Sequence, residues 1–350
     1  MDEGAYGCVY RPGIKCDGTV ETSSKYISKI QKKKERTDNE PVIGKRIAER
    51  IKHSSRYFAP ALSVCDAKVT KINKNELGKC KAIREKKTED EFVSIKIKYV
   101  GKDNLEDNMG KHRKKDGGTL LLHMMDTHQY LVEAIAELEK EKIVHHDIKS
   151  NNVMYSDSQN VPIIIDFGVS FQLKDLYKED MLQDIFFTAY EKYPPWCLEI
   201  TLISAIIKVP KWETEKVDME ALQAHLSVFI DENPIMILVG KQQSTKTRWK
   251  MFMQTSFENE NGKTVVNKLL ETWNTWDLYS VHVMYLSFIH HLLKKEHVCV
   301  RPYIKYITSQ ILLLPGERDD PKTTIGKMES LRGEIKKSDF VDFVREEGLL

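Results

Sequence analysis

The stretch that says most about this chain is Val144-His145-His146-Asp147-Ile148-Lys149-Ser150-Asn151-Asn152, followed later by Ile165-Asp166-Phe167-Gly168. The first stretch has the spacing H-x-D-x-K-x-x-N, and the second places an aspartate directly before Phe-Gly. Phosphoryl transfer from ATP requires such groups: a carboxylate to accept the hydroxyl proton, a cation to offset charge on the moving phosphoryl group, and two oxygen ligands for Mg²⁺. The two stretches in this order therefore indicate phosphoryl-transfer chemistry.

In their order and spacing, these stretches resemble the catalytic and metal-binding motifs of eukaryotic-type serine/threonine protein kinases. The resemblance implies the α+β class and a two-lobed protein kinase fold. A small β-rich N-lobe with a truncated first strand is expected over residues 1–99, and a larger helical C-lobe over residues 100–350. The catalytic loop would span residues 145–152 and the metal loop residues 166–168.

Four side chains would carry the chemistry that the resemblance implies. Asp147 would orient the substrate hydroxyl and accept its proton, and Lys149 would neutralise charge on the γ-phosphoryl group. Asn152 and Asp166 would supply oxygen ligands to Mg²⁺, for which Mn²⁺ is an alternative. A lysine two residues after the catalytic aspartate resembles the serine/threonine-specific branch. The implied reaction transfers the γ-phosphoryl group of ATP to serine or threonine hydroxyls of a protein substrate.

A glycine-rich loop is expected upstream of these motifs, and the chain begins with one. Gly4, Gly7 and Val9 fit the form x-x-G-x-x-G-x-V, in which glycines let the backbone approach phosphates and the valine packs on adenine. Asp2 stands where the first glycine is usual, which puts the first tight turn of the loop in doubt. The expected explanations are a naturally short chain or a start that is truncated or misassigned.

Lys29 is the predicted phosphate-binding lysine, because it occupies the place of the lysine in V-A-I-K within the strand-like pattern Tyr26-Ile27-Ser28-Lys29-Ile30. A helix should follow, with an ion-pair partner for this lysine. Glu40 is the first candidate partner, although Pro41 would put it in the first helical turn, and Glu49 is the second. The apolar stripe of this helix consists of Ile43, Ile47 and Ile51.

The next strand and helix should bring the chain to the catalytic loop. Alternation over residues 91–99 predicts the strand before a hinge, where Tyr99 and Val100 would pass behind the adenine. The basic run Lys111 to Lys115 reads as a mobile loop beside two glycines, and residues 127–142 read as an amphipathic helix.

His146 departs from the family pattern, because the position usually holds an arginine that pairs with a phosphate on the activation loop. One hypothesis is that activity does not need phosphorylation of that loop, since histidine is a weaker and pH-dependent partner. The alternative is that His146 only packs.

Further landmarks follow the metal loop. Glu199 is expected to close the activation segment and to pair with a later arginine, for which Arg318 is a candidate. Asp277 is expected to hold the backbone of the catalytic loop. Residues 200–275 are longer than a compact kinase needs and read as a helical insertion, either a partner-binding element or a structural insert.

Bulk properties narrow the class of protein. The formal net charge of +2 gives no case for specific nucleic-acid binding, and no apolar run could span a bilayer. Six cysteines without a C-x-x-C pair favour reduced thiols in an intracellular protein. A protein substrate is the expected partner, and the oligomeric state stays open.

A narrower resemblance points to protein kinases of large DNA viruses of eukaryotes. It rests on residues 26–30, on Gly7-Cys8-Val9-Tyr10-Arg11-Pro12 and on the Trp-x-x-Glu ending of the activation segment. It implies the host cytoplasm as the setting, with packaging in virions as a further expectation. Two rival classes remain. A pseudokinase would keep the fold without the chemistry, and a small-molecule phosphotransferase would lack Lys149 and Phe167-Gly168.

Overall fold

The computed structural model describes residues 2–4, 7–33, 39–69, 80–85, 90–116, 119–156, 158–293, 297–335 and 337–346. It divides into two compact units. The first consists of Met1–Lys102 with Asn152–Ser170, and the second of Asp103–Asn151 with Phe171–Leu350. The first unit therefore includes the predicted metal loop, residues 166–168.

Strands concentrate in the first unit. In chain order the strands are β1 (Asp2–Gly4), β2 (Gly7–Tyr10), β3 (Tyr26–Lys32), β4 (Phe58–Ala59), β5 (Ala61–Asp66), β6 (Phe92–Lys98), β7 (Ile143–Val144), β8 (Val153–Ser156), β9 (Val161–Ile165) and β10 (Phe171–Gln172). An antiparallel sheet has the order β1-β2-β3-β6-β5, and a smaller sheet has the order β4-β9-β8. The predicted strands around Lys29 and over residues 91–99 are confirmed as β3 and β6.

The two faces of the larger sheet have different roles. Cys8 pairs with Ile30 across β2 and β3, and both are fully buried in a core cluster with Phe92. Because side chains alternate along a strand, Lys29 points to the opposite face, level with Val9. The strand pattern thus fixes which side of the sheet receives the lysine.

Helices form most of the second unit. In chain order the helices are α1 (Asn39–Arg50), α2 (Lys81–Arg84), α3 (Leu105–Asp116), α4 (Leu120–Lys140), α5 (Glu179–Ile185), α6 (Leu198–Ile207), α7 (Met219–Glu232), α8 (Pro234–Val239), α9 (Gln242–Phe257), α10 (Gly262–Leu270), α11 (Trp276–Leu292), α12 (Arg301–Leu312), α13 (Pro321–Gly333) and α14 (Lys337–Glu346). A sheet-rich first region and a larger helical region confirm the predicted α+β class.

The helix predicted after β3 is α1. Its stripe is buried as expected, with Ile43 and Ile47 fully enclosed and Ile51 just beyond the helix end. Pro41 lies in the first turn, where its missing N–H has no helical partner to lose.

The basic run Lys111 to Lys115 was predicted to be a loop, and that prediction was wrong. The run lies in α3, which is anchored by the buried side chains of Leu105 and Met109 one turn apart. Lys111 also pairs with Asp103 at 2.5 Å. The sequence pattern did not predict this helix because most of its residues are charged or polar, and Leu105 and Met109 are the only apolar side chains in its sequence.

The helix predicted over residues 127–142 begins earlier, at Leu120. Its apolar stripe continues backwards through Leu121, Met124 and Met125, all of them buried. The inserted residues 200–275 form most of α6 and the whole of α7 to α10, which agrees with the helical reading of this stretch. Within the described ranges, none of the helices is long and apolar enough to cross a membrane.

The expectation of reduced thiols was wrong for four of the six cysteines. Disulfides join Cys8 to Cys80 and Cys16 to Cys65, whereas Cys197 and Cys299 are free and buried. The bonded residues lie 72 and 49 positions apart. Cysteine spacing indicates only local pairs, so bonds between residues this far apart in the chain could not be predicted from it.

Candidate active site

Lys29 is the centre of an ion-pair group in the first unit. Its Nζ lies 2.8 Å from Oδ1 of Asp166 and 3.7 Å from Oε2 of Glu40. Burial lowers the pKa of Lys29, but the charges of Glu40 and Asp166 outweigh this effect and raise it. Lys29 therefore keeps its positive charge and lies between two acidic side chains.

Glu40 lies in a buried position beside Lys29. Its side chain is only 3% exposed, and burial raises its pKa to about 7, with Lys29 opposing the shift and Asp166 adding to it. Glu49, the second candidate, is exposed and lies 3.8 Å from Lys45 on the outer side of α1. The difference follows from helical phase, because Glu40 shares the face of Ile43 and Ile47.

The glycine-rich segment lies on the strands next to Lys29. Gly4 of β1 is level with Gly7 of β2, and Val9 is level with Lys29. A Cβ at Gly7 would collide with the backbone carbonyl of Ile30, so no other residue fits there without moving β3. Ala5 and Tyr6 lie outside the described residues, as do Lys34, Arg36 and the two glycines 117–118.

The predicted hinge follows β6. The N–H of Tyr99 donates to the carbonyl of Lys25 at 2.9 Å, and the guanidinium of Arg11 covers its ring at 3.3 Å from the centroid. Val100 is half-buried, and Gly101 lies so close to the carbonyl of Tyr155 that a Cβ would collide with it. This close packing holds the backbone of residues 99–101 against the first unit.

Asn152 and Asp166 flank the β8–β9 hairpin at its open end. Val153 pairs with Ile164 in the antiparallel β8–β9 ladder, so Asn152 directly before β8 and Asp166 directly after β9 lie at the same end of the hairpin. Asp166 has a φ of 61°, a left-handed conformation that aspartate adopts more readily than most residues. The fully buried Phe167 anchors this turn.

This oxygen pair fits Mg²⁺. Amide and carboxylate oxygens are its preferred ligands, and Mg²⁺ commonly takes only one or two protein ligands together with phosphate oxygens. Among the residues that the structure describes, no group of three or more His, Cys, Asp or Glu side chains could hold a metal by itself. A Mg²⁺ held by these two oxygens would take its other ligands from phosphate and water.

Asp147 and Lys149 form an ion pair in the second unit. The Nζ of Lys149 lies 3.1 Å from Oδ1 and 2.9 Å from Oδ2 of Asp147. The hydroxyl of Tyr193 donates to Oδ1 of Asp147 and accepts from Nζ of Lys149 at 3.0 Å. The sequence analysis assigned no role to Tyr193, which lies in the segment before Glu199. The one available signal was a hydroxyl-bearing residue shortly before that glutamate.

Asp277 holds the backbone of the catalytic loop, as predicted. Its carboxylate accepts the N–H of His145 at 2.7 Å and the N–H of His146 at 2.9 Å. Burial raises the pKa of Asp277, while the two N–H groups and His145 act against the shift. Asp277, the second residue of α11, therefore fixes the turn that precedes Asp147.

His146 packs among aromatic rings. Its ring stacks on Trp196 with centroids 5.0 Å apart, and Phe171 and Phe186 meet it edge-on. Trp196 also donates its indole N–H to the carbonyl of His146 at 2.8 Å. With 2% of its surface exposed, His146 is a core residue of the second unit.

Glu199 pairs with Arg318, which confirms a prediction that rested on spacing. The Nη2 of Arg318 lies 2.6 Å from Oε1 and 2.7 Å from Oε2 of Glu199, and both side chains are buried. Nη1 of Arg318 donates to the hydroxyl of Thr275 at 3.0 Å. Leu198 is the first residue of α6. Shortly before it, the carbonyl of Pro195 accepts a hydrogen bond from the hydroxyl of Ser280 at 2.6 Å.

Comparison with known proteins agrees with this geometry. The sequence profile of the protein tyrosine and serine/threonine kinase family matches residues 2–194, more than half of the chain. The match takes in the glycine-rich strands, the Lys29 group and the loop from Asp147 to Asn152. No curated protein matches the chain at a significant level. On the profile match, the chain belongs to the protein tyrosine and serine/threonine kinase family.

Proposed function

We propose that this protein is an active, Mg²⁺- and ATP-dependent kinase that phosphorylates serine and threonine hydroxyls of proteins. The observation that carries the proposal is the contact of Lys149 with both carboxylate oxygens of Asp147. The family as a whole includes tyrosine kinases, so the serine/threonine assignment rests on this lysine and its place two residues after the aspartate.

Each charged group has one task in the proposed reaction. Lys29, supported by Glu40, binds the α- and β-phosphates of ATP. Asp147 accepts a hydrogen bond from the substrate hydroxyl and takes its proton as the bond to phosphorus forms and ADP leaves. Lys149 offsets negative charge on the γ-phosphoryl group. Mg²⁺, held by Asn152 and Asp166, would neutralise phosphate charge.

The second candidate is a pseudokinase that binds nucleotide or serves as a scaffold. Asp2 in place of the first glycine favours it. Against it, the chain keeps Lys29, Asp147, Asn152 and Asp166, and the ion pairs of Lys29 and Lys149 are formed. A binding module has no need of a lysine on the carboxylate of Asp147, so the active kinase is the better supported proposal.

We also propose that activity does not depend on phosphorylation of the activation segment, defined here as residues 166–199. The ring of His146 is enclosed by Trp196, Phe171 and Phe186, and has no surface to offer a phosphate. Phosphatase-treated protein should keep its activity. Loss of activity on treatment, restored with a phosphate on this segment, would contradict the idea.

The test of the main proposal is transfer of labelled γ-phosphate from ATP to a protein substrate in the presence of Mg²⁺. The wild type is compared with Asp147→Asn and Asp166→Asn. Asp218→Asn is the matched control, because Asp218 caps α7 on the surface and asparagine caps equally well. We expect transfer by the wild type and the control, and none by the two site variants. Nucleotide binding without transfer by the wild type would favour the pseudokinase.

The viral origin, the host cytoplasm as setting and packaging in virions stay predictions that rest on resemblance alone.

A further inference from the structure

Helices of the inserted segment contact the activation segment directly. Asn233, between α7 and α8, is fully buried. Its Nδ2 donates to the backbone carbonyl of Glu191 at 2.7 Å, and its Oδ1 accepts the N–H of Ile235 at 3.0 Å, which caps α8. The side chain of Asn233 thus caps α8 and also holds the backbone of a residue in the activation segment.

Two more contacts join the same pair of helices to the same place. The carboxylate of Glu191 is hydrogen-bonded to Nδ1 of His225 on α7. Lys192 forms an ion pair with Glu232 at the end of α7, but both side chains are half-exposed and such pairs add little stability. The buried Asn233 bond and the His225 contact therefore carry most of the attachment.

Tyr193 is the next residue, and it links this attachment to the catalytic pair. Its hydroxyl bridges Asp147 and Lys149. Its ring stacks on Tyr190 with centroids 5.6 Å apart and meets Trp196 edge-on at 5.4 Å. Residues 190–196 are thus held by the inserted helices on one side and by the catalytic loop on the other.

We propose that α7 and α8 are a built-in brace for the activation segment, and that Asn233 acts as a positioning residue for Asp147 and Lys149 through Glu191 and Tyr193. In other proteins an added phosphate can order such a segment by pairing with arginine. Here helices of the same chain supply the ordering contacts. The activity part of this proposal rests on the proposed kinase function, whereas the ordering of residues 187–197 does not.

The sharpest variant is Asn233→Ser in the full chain. Serine caps a helix about as well as asparagine but is too short to reach the carbonyl of Glu191. Asn261→Ser is the matched control, because Asn261 caps α10 in the same inserted segment by accepting the N–H of Thr264 at 2.8 Å. His225→Ala, at a partly exposed site, is a second variant that removes the other contact with Glu191.

The measurements are hydrogen exchange of the amides of residues 187–197, and kcat and KM for ATP with a protein substrate. We expect faster exchange in Asn233→Ser and, more weakly, in His225→Ala. In Asn233→Ser we expect kcat to fall about tenfold with KM for ATP unchanged, since a misplaced catalytic group slows the chemical step. Asn261→Ser should match the wild type.

Equal exchange in Asn233→Ser, Asn261→Ser and the wild type would overturn the brace. So would an equal loss of kcat in both serine variants, because a general loss of stability explains that result. A wild type without transfer activity but with faster exchange in Asn233→Ser would refute the proposed kinase function and leave the brace standing. An active wild type with unchanged exchange would do the reverse.

Discussion

The hydroxyl of Tyr193 donates a hydrogen bond to the carboxylate of Asp147. Lys149 contacts both groups, so the three side chains form one closed polar group in the second unit. Such a group fixes the rotamer of Asp147, the proposed catalytic carboxylate, before the substrate arrives. Preorganisation of this kind is worth more to the rate than to substrate binding.

Tyr193→Phe should therefore slow the chemical step. The variant keeps the stacking with Tyr190 and Trp196 and loses only the hydroxyl. We expect kcat to fall about tenfold while KM for ATP stays the same. Tyr190→Phe, which removes the hydroxyl of the exposed stacking partner, is the control and should be near normal. A raised kcat in Tyr193→Phe would mean that this hydroxyl competes with the substrate for Asp147.

Binding of ATP should depend on pH through Glu40. Burial raises the pKa of Glu40 to about 7, so its carboxyl takes up a proton as the pH falls through that value and the ion pair with Lys29 weakens. We expect the affinity for ATP to decline from about pH 8 to about pH 6. Glu40→Gln should bind more weakly and show less of this dependence.

The control for this titration is Glu49→Gln on the exposed side of the same helix, which should behave like the wild type. Calorimetric titration with ATP at several pH values gives the comparison. Parallel pH profiles in the wild type and Glu40→Gln would show that Glu40 is not the titrating group.

Local motifs made most of the site predictable. The spacing from Asp147 to Asn152 and the Asp166-Phe167-Gly168 stretch are short and specific, and Glu199, Asp277 and Arg318 could then be found by order along the chain. Contacts such as Tyr193 with Asp147, Asn233 with Glu191, and the two disulfides had no local pattern. They join residues tens of positions apart, and only the folded chain brings such residues together.

Buried histidines should make the second unit sensitive to acid. Nε2 of His128 lies 3.2 Å from Nδ1 of His282, and burial lowers the pKa of both, that of His282 to about 3. Below the ordinary histidine pKa of 6.5, these two side chains bind protons in the unfolded chain but stay neutral in the folded protein. The free energy of unfolding should therefore fall as the pH drops below about 6.5, by about 2 kcal/mol for His282 at about pH 5.

His282→Gln removes one of these groups and should show a shallower loss of stability between about pH 6.5 and about pH 5. His291→Gln, an exposed position on the same helix, is the control. Denaturant unfolding at each pH measures the difference. Identical pH profiles for His282→Gln and the wild type would exclude His282 as a source of acid sensitivity.

The buried pair of Glu199 and Arg318 should matter far more to stability than a surface pair. Arg318→Ala leaves the carboxylate of Glu199 buried without its cation, and we expect a loss of about 3–5 kcal/mol. Arg248→Ala breaks a half-exposed pair with Glu317 and should cost less than about 1 kcal/mol. Equal losses in the two variants, measured by denaturant unfolding, would contradict the structural role of the buried pair.

The most direct test of the central claim identifies the amino acid that receives the phosphate. A protein substrate is labelled with γ-phosphate from ATP by the wild type and by Lys149→Met, and its phosphoamino acids are separated. The proposed mechanism predicts phosphoserine and phosphothreonine from the wild type and almost none from the variant. Phosphotyrosine as the main product, or equal labelling by both proteins, would contradict it.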